Sequence, residues 1–186
     1  MNTNTSKVLI KQLIKDKNVG AITTTSNNMV GKIIEKINFS KAKNIVEYGP
    51  GNGVITKMLL NNMQNDTVLF VFETNEHFIE ELNKINDKRL KIIHSDAEKA
   101  KMILKNNYKI ENVDFIVSSI PFTFIDKRKR KRIIYKSYNL LKENGKFITY
   151  QYSWLIYNLI KKKFSKSSIK SILLNIPPAF IIEGVK

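Results

Sequence analysis

The sequence predicts an α/β protein, a Rossmann-like doubly wound sheet of seven strands, mostly parallel, with a C-terminal antiparallel hairpin and helices ahead of the first strand. Three observations predict it. From Asn44 onward, short β-branched or aromatic runs alternate with longer amphipathic stretches, as in parallel strands joined by crossover helices. The apolar run at 44–48 leads into a glycine-rich turn and then a helical stretch. The final two strands are joined by Asn175-Ile176-Pro177-Pro178-Ala179, where proline removes ladder donors and favours a turn between antiparallel partners.

Taken in order, residues 1–40 read as two amphipathic helices, Ser6 to Lys17 and Ser26 or Asn27 to Ile37, with Gly20 between them. In the first, Leu9, Ile10, Leu13 and Ile14 share a face, beside a stripe of Lys7, Lys11 and Lys15. Such a helix either covers the core or lies in a membrane interface. Residues 41–186 form the core. Strands are expected at Asn44–Tyr48, Thr67–Glu73, Lys91–His94, Val113–Ser118, Gly145–Tyr152, Ile169–Leu174 and Phe180–Val185. Helices are expected at Val54–Asn62, Glu76–Asn83, Ala97–Asn106, Asp126–Leu141 and Trp154–Phe164.

At 186 residues and 42% hydrophobic, the chain suffices for one such core and is read as a single domain, 1–186. Thirty-two Lys and Arg against 16 Asp and Glu leave a net charge of +16, which favours anionic partners: an acidic membrane surface or a nucleic acid. The absence of cysteine excludes disulfides, thiolate metal sites and cysteine nucleophiles. His77 and His94 lack metal-ligand spacing, so no metal is expected. No apolar run approaches the roughly 20 residues of a membrane span. A cytoplasmic, peripherally membrane-associated monomer is the expectation.

The most informative segment is Ile45-Val46-Glu47-Tyr48-Gly49-Pro50-Gly51-Asn52-Gly53-Val54. Gly49, Gly51 and Gly53 remove side chains where a tight strand-to-helix turn must bring main chain against a ligand. The spacing is G-x-G-x-G, and Glu47 stands two residues before the first glycine. That suits a ligand bearing an ammonium and a sulfonium better than one bearing a pyrophosphate. Glu73, at the end of the second strand, can accept both hydroxyl hydrogens of a ribose. Asp96, after the third strand, can accept from an adenine amino group while Ala97 leaves room for the ring. All three carboxylates fall at carboxyl ends of expected strands, the edge where open α/β sheets bind ligands.

On these residues the chain resembles the class I S-adenosylmethionine-dependent methyltransferases over nearly its whole length. The resemblance implies S-adenosylmethionine as cofactor, with Gly49, Gly51 and Gly53 around its methionine part, Glu73 on the ribose and Asp96 near the adenine, and with Glu47 and Ser118 also among the cofactor-binding residues. Within that superfamily, Val19-Gly20-Ala21-Ile22, Thr23-Thr24-Thr25-Ser26 and Glu47-Tyr48-Gly49-Pro50-Gly51-Asn52-Gly53 are similar to two groups. One is the ribosomal RNA adenine dimethyltransferases, the other the small bacterial phospholipid N-methyltransferases. Adenine methylases carry an Asn-x-Pro-Tyr type loop after strand four, whose amide holds the exocyclic amine of a flipped base. Here the loop reads Ser119-Ile120-Pro121-Phe122, with serine for that amide.

The chain also reaches its end directly after the hairpin, and Asn175-Ile176-Pro177-Pro178-Ala179 is similar to the closing motif of the lipid enzymes. That resemblance implies methylation of the amine headgroup of phosphatidylethanolamine toward phosphatidylcholine at an acidic membrane surface. Ile120, Pro121 and Phe122 would border the acceptor, and Tyr150, Gln151 and Tyr152 would orient its amine and assist proton loss. The alternatives are an RNA adenine N-methyltransferase and a catalytically silent RNA-binding relative. The basic run Lys127 to Arg132, beside the expected pocket, suits either anionic partner.

Overall fold

The computed structural model describes residues 27–172 and 179–186. The expected helix Ser6 to Lys17, the Val19–Ser26 segment and residues 173–178 of the proline-rich connection lie outside the described residues.

Seven strands form one sheet: β1 Asn44–Tyr48, β2 Val68–Glu73, β3 Leu90–His94, β4 Val113–Ser118, β5 Leu141–Gln151, β6 Lys166–Ile172 and β7 Ala179–Val185. Their order is β3-β2-β1-β4-β5-β7-β6, parallel through β5 and antiparallel at β7 and β6. The helices are α1 Asn27–Ile34, α2 Val54–Asn62, α3 Glu76–Asn83, α4 Ala100–Tyr108, α5 Lys127–Leu140 and α6 Tyr157–Lys163.

The central strands β1, β2 and β4 are buried almost throughout because both faces of the sheet are covered there, whereas the edge strand β6 is largely exposed. Ile45, Leu69, Val71, Val117, Ile148 and Ile181 pack with Met29, Ile33, Ile55, Leu59 and Leu82 of α1, α2 and α3. Their neighbours Val46, Phe70, Phe72, Ile116, Phe147 and Ile182 pack on the opposite face with Leu104, Ile133, Ile134, Ile160 and Phe164 of α4, α5, α6 and the residue after α6. The two-residue period of the strands thus divides one sequence pattern into two cores.

Several boundaries differ from the sequence expectation for local reasons. Asp96 caps a 3₁₀ turn at Ala97–Lys99 before α4 begins. A second such turn, Trp154–Ile156, precedes α6. The chain leaves α5 at Leu141 and enters β5 there, four residues earlier than expected, through a register shift opposite Val113 and Phe115. Gly145 is needed at that shift, since a Cβ there would stand 2.8 Å from the Lys142 carbonyl oxygen.

Neighbours β1 and β4 are the place where successive crossovers diverge, β1 leading outward to β2 and β3 and β4 leading to β5. A crevice opens there at the carboxyl ends of the strands. Gly49 N–H donates to the Phe72 carbonyl and Ser119 N–H to the Tyr48 carbonyl, both at 2.9 Å, so three strand ends are tied together at its floor.

Candidate active site

β1 delivers Glu47 beneath the crevice and turns through Gly49, Gly51 and Gly53, whose φ angles are 65°, 56° and 80°. A Cβ at Gly51 would meet nothing within 4 Å, so this bend presents bare backbone to open space in the cleft. At Gly49 a Cβ would stand 3.2 Å from Ile120 Cγ1, so its absence lets the loop after β4 close on the glycine turn. Gly53 starts α2, with the Lys57 N–H donating to its carbonyl at 3.0 Å.

Glu47 is fully buried. Its Oε2 accepts from Thr56 Oγ1 of α2 at 2.7 Å, and its Oε1 has no partner. Burial is the main force on this carboxyl; the Thr56 bond opposes it, the Glu73 charge reinforces it, and together they push it up to about 8. A cationic group brought near would restore the ionised form.

Glu73, at the end of β2, is rigidly held. Its Oε1 accepts from the Thr74 and Asn75 N–H groups at 2.7 and 3.0 Å, and its Oε2 accepts from the Gly51 N–H at 3.2 Å. One carboxylate therefore braces the glycine turn and faces the cleft. Asp96 Oδ1 accepts from the Glu98 N–H at 2.8 Å, and Oδ2 pairs with Lys129 Nζ. Burial works to raise the Asp96 carboxyl, but Lys129 and the Glu98 N–H outweigh it and hold it below the ordinary carboxylate range.

The cleft measures about 630 Å³, ample for an adenosyl ligand. Of the residues expected from sequence, Gly49, Gly51, Glu73, Asp96, Ile120, Pro121 and Tyr150 line it. Glu47, Gly53, Ser118, Phe122, Gln151 and Tyr152 stand behind that lining. Ser118 is buried, its carbonyl accepting from Thr149 Oγ1 at 2.8 Å. Phe122 is fully buried among the apolar side chains beneath α5. Gln151 is a clamp: its Oε1 accepts from the Phe122 N–H at 3.2 Å, while its Nε2 donates to the Ile120 carbonyl and Thr149 Oγ1, both at 2.9 Å. Tyr152, on the same strand face as Tyr150, packs edge-on against it with centroids 6.4 Å apart. Burial pushes its phenol up.

Sequence reasoning missed Phe78, Ile125, Lys129 and Ile133 of the lining. In the sequence Lys129 reads as one of a uniformly charged run, yet it lies four residues before Ile133 and so shares the inward face of α5. That spacing was the available signal. The run as a whole divides: Lys129 pairs with Asp96, Arg132 with Glu98, and Arg130 donates from Nη2 to the Ile125 carbonyl at 2.9 Å.

A glycine cradle open to solvent, an orphan buried carboxylate oxygen beneath it and a carboxylate at the end of β2 suit a cationic adenosyl ligand. This fold and site define a class I S-adenosylmethionine-dependent methyltransferase. The ribosomal RNA adenine dimethylase family model matches residues 11–134, two thirds of the chain, and the chain belongs to that family. An ornithine lipid N-methyltransferase of Singulisphaera acidiphila is 26% identical over 159 residues, covering 82% of both chains. A ribosomal RNA small subunit methyltransferase A of Borreliella afzelii is 30% identical over 150 residues, 77% of this chain but 50% of its own length. Among solved structures, the N-methyltransferase NodS from Bradyrhizobium japonicum WM9, in complex with S-adenosyl-L-homocysteine, superposes with a TM-score of 0.70 at 11% identity. It covers 100% of this chain and 99% of its own, a likeness of fold.

Proposed function

We propose that this methyltransferase acts on the amine headgroup of a membrane lipid, with phosphatidylethanolamine as acceptor and methylation proceeding toward phosphatidylcholine. The observation that carries this reading is the loop after β4. A base methylase needs an aromatic ring beside the cleft to stack on an extruded base and an amide to hold its amine. Here Phe122 is wholly buried, its backbone is fastened by Gln151, and Ser119 stands at the amide position. The match to the ornithine lipid enzyme over 82% of that protein supports the same reading.

The cofactor supplies a methyl group on a sulfonium, already a good leaving group, and the protein's part is positioning and exclusion of water. Gly51 and Glu73, already bonded to each other, would hold the cofactor's polar groups against the glycine turn, and the buried Glu47 carboxylate would balance its ammonium. Pro121 and Ile120 wall the acceptor's approach. Tyr150, the member of the expected 150–152 trio that reaches the cleft, orients the incoming amine. That amine attacks unprotonated, so the rate rises with pH until the substrate amine has lost its proton.

The test is transfer of radiolabelled methyl from S-adenosylmethionine to phosphatidylethanolamine vesicles containing an acidic lipid, beside ornithine lipid and total RNA. Label resolved into mono-, di- and trimethylated phosphatidylethanolamine establishes the reading. Label in ornithine lipid alone changes the headgroup. Label in RNA alone replaces the lipid with adenine, the reading that the family match favours.

A further inference from the structure

Five large apolar side chains are exposed among the described residues, and three of them come from two adjoining connections. Phe124, 42% exposed, ends the 3₁₀ turn Phe122–Phe124 between β4 and α5. Trp154 and Leu155, 59% and 43% exposed, open the turn Trp154–Ile156 between β5 and α6. β4 and β5 are parallel, with Ser118 opposite Thr149, so both connections leave the sheet at the edge that holds the cleft. Gln151 stitches them together through Ile120 and Phe122. Each turn has an inward anchor, Phe122 in one and Ile156 in the other, both buried, so the outward side chains are held out by packed neighbours.

Positive charge flanks this apolar rim on the side of α5. α5 begins three residues after Phe124, and Lys127, Arg128 and Lys131 are exposed. Among the described residues these three have no carboxylate partner, unlike Lys129 and Arg132. The Asp126 carboxylate between rim and run accepts from the Arg128 and Lys129 N–H groups as the helix cap. Aromatic and aliphatic side chains at a tip, flanked by cations without carboxylate partners, form the composition that lies at headgroup level in an anionic bilayer. A nucleic-acid platform would instead present ring faces in succession, and Leu155 has none.

We propose that Phe124, Trp154 and Leu155 insert at the interface of an anionic membrane, with Lys127 and Arg128 on its phosphates, so that the mouth of the cleft at Pro121 and Ile125 faces the lipid. This rests on the lipid-amine reading and adds to it which face docks and how the acceptor reaches the cleft.

Trp154 is the chain's sole tryptophan, so its fluorescence reports this rim alone. Titration of the full chain with phosphatidylcholine vesicles containing phosphatidylglycerol is expected to shift the emission to the blue and to allow quenching by brominated acyl chains. Pure phosphatidylcholine should give little of either. Replacing Phe124→Ser with Leu155→Ser should weaken vesicle binding about tenfold or more. In Lys127→Glu/Arg128→Glu, each lost charge should weaken it about fivefold. Both variants should bind S-adenosylhomocysteine like the parent, which shows that they fold.

Vesicle binding with an unchanged Trp154 spectrum overturns the proposal, since another face then docks. A spectral response to single-stranded RNA and not to vesicles assigns the rim to nucleic acid and overturns it too. Short-chain phosphatidylethanolamine dispersed below its micelle concentration separates the two readings. If that monomeric lipid is methylated while anionic vesicles draw no Trp154 response, the docking surface falls and the lipid reading stands; no methylation of phosphatidylethanolamine in either form sinks the lipid reading itself.

Discussion

Glu47 holds a proton that an exposed glutamate would release, and this couples stability to pH. Between its ordinary value of 4.5 and its folded value of about 8, the folded chain keeps a proton the unfolded chain has lost. Stability from this group is therefore complete below about pH 4.5 and declines as pH rises toward 8, by about 1.4 kcal/mol per pH unit at most. In Glu47→Gln that decline should vanish, so urea denaturation at pH 5 and pH 8 should separate the two proteins by a few kcal/mol more at one pH than at the other. The orphan Oε1 predicts the opposite for ligand: the variant should bind S-adenosylhomocysteine more weakly, having lost the charge that answers an ammonium. Gly51→Ala should lose cofactor binding by about tenfold or more. It should lose only about 1–2 kcal/mol of stability, because the added methyl enters open cleft and the cost to the fold is a left-handed φ alone. Calorimetric titration and thermal melting, run on the same preparation, distinguish the two effects.

At the scale of elements, the loop after β4 and the end of β5 act as one piece because Gln151 bridges them. Gln151→Leu leaves the Phe122 N–H and the Ile120 carbonyl without partners inside the protein, and should cost about 1–3 kcal/mol. Its effect on the reaction should fall on the acceptor side, with a raised KM for the acceptor and an unaltered affinity for S-adenosylhomocysteine, since Gln151 stands behind the cleft lining. The seam between β7 and α6 is equally tight. A Cβ at Gly184 would approach Ile160 Cγ2 and the Phe164 ring to 2.7 Å, so Gly184→Ala should destabilise by about 1–3 kcal/mol through overpacking. Chemical denaturation is the measurement, and an unchanged midpoint would show that α6 yields freely.

Over the whole molecule, the cleft joins the glycine turn, the end of β2, the turn after β3, the loop after β4 and the end of β5. A ligand there holds several crossovers at once. S-adenosylhomocysteine at about 100 times its Kd should add about 2.7 kcal/mol to stability. For a chain of this size that raises Tm by roughly 5–10 °C. The rise should largely disappear in Glu73→Ala, where the brace of the glycine turn and the carboxylate facing the cleft are lost together.

The strand and helix pattern, the glycine turn with Glu47, Glu73 at the end of β2 and the cationic surplus were legible in the sequence alone. Each depends on local periodicity, on backbone angles or on composition. What the side chains around the site touch depended on the tertiary structure. The sequence suggests that Phe122 borders the acceptor and that Gln151 orients its amine, and packing places one in the core and makes the other a clamp. Within a uniform run of six cations, the phase of α5 decided that Lys129 faces Asp96 while Lys127 and Arg128 face solvent. The placement of β7 between β5 and β6, and the meeting of the Phe124 and Trp154 turns at one rim, were likewise settled only by pairing distant strands. Long-range pairing brings together residues that are remote along the chain, and the periodicity of a single segment does not encode its partner.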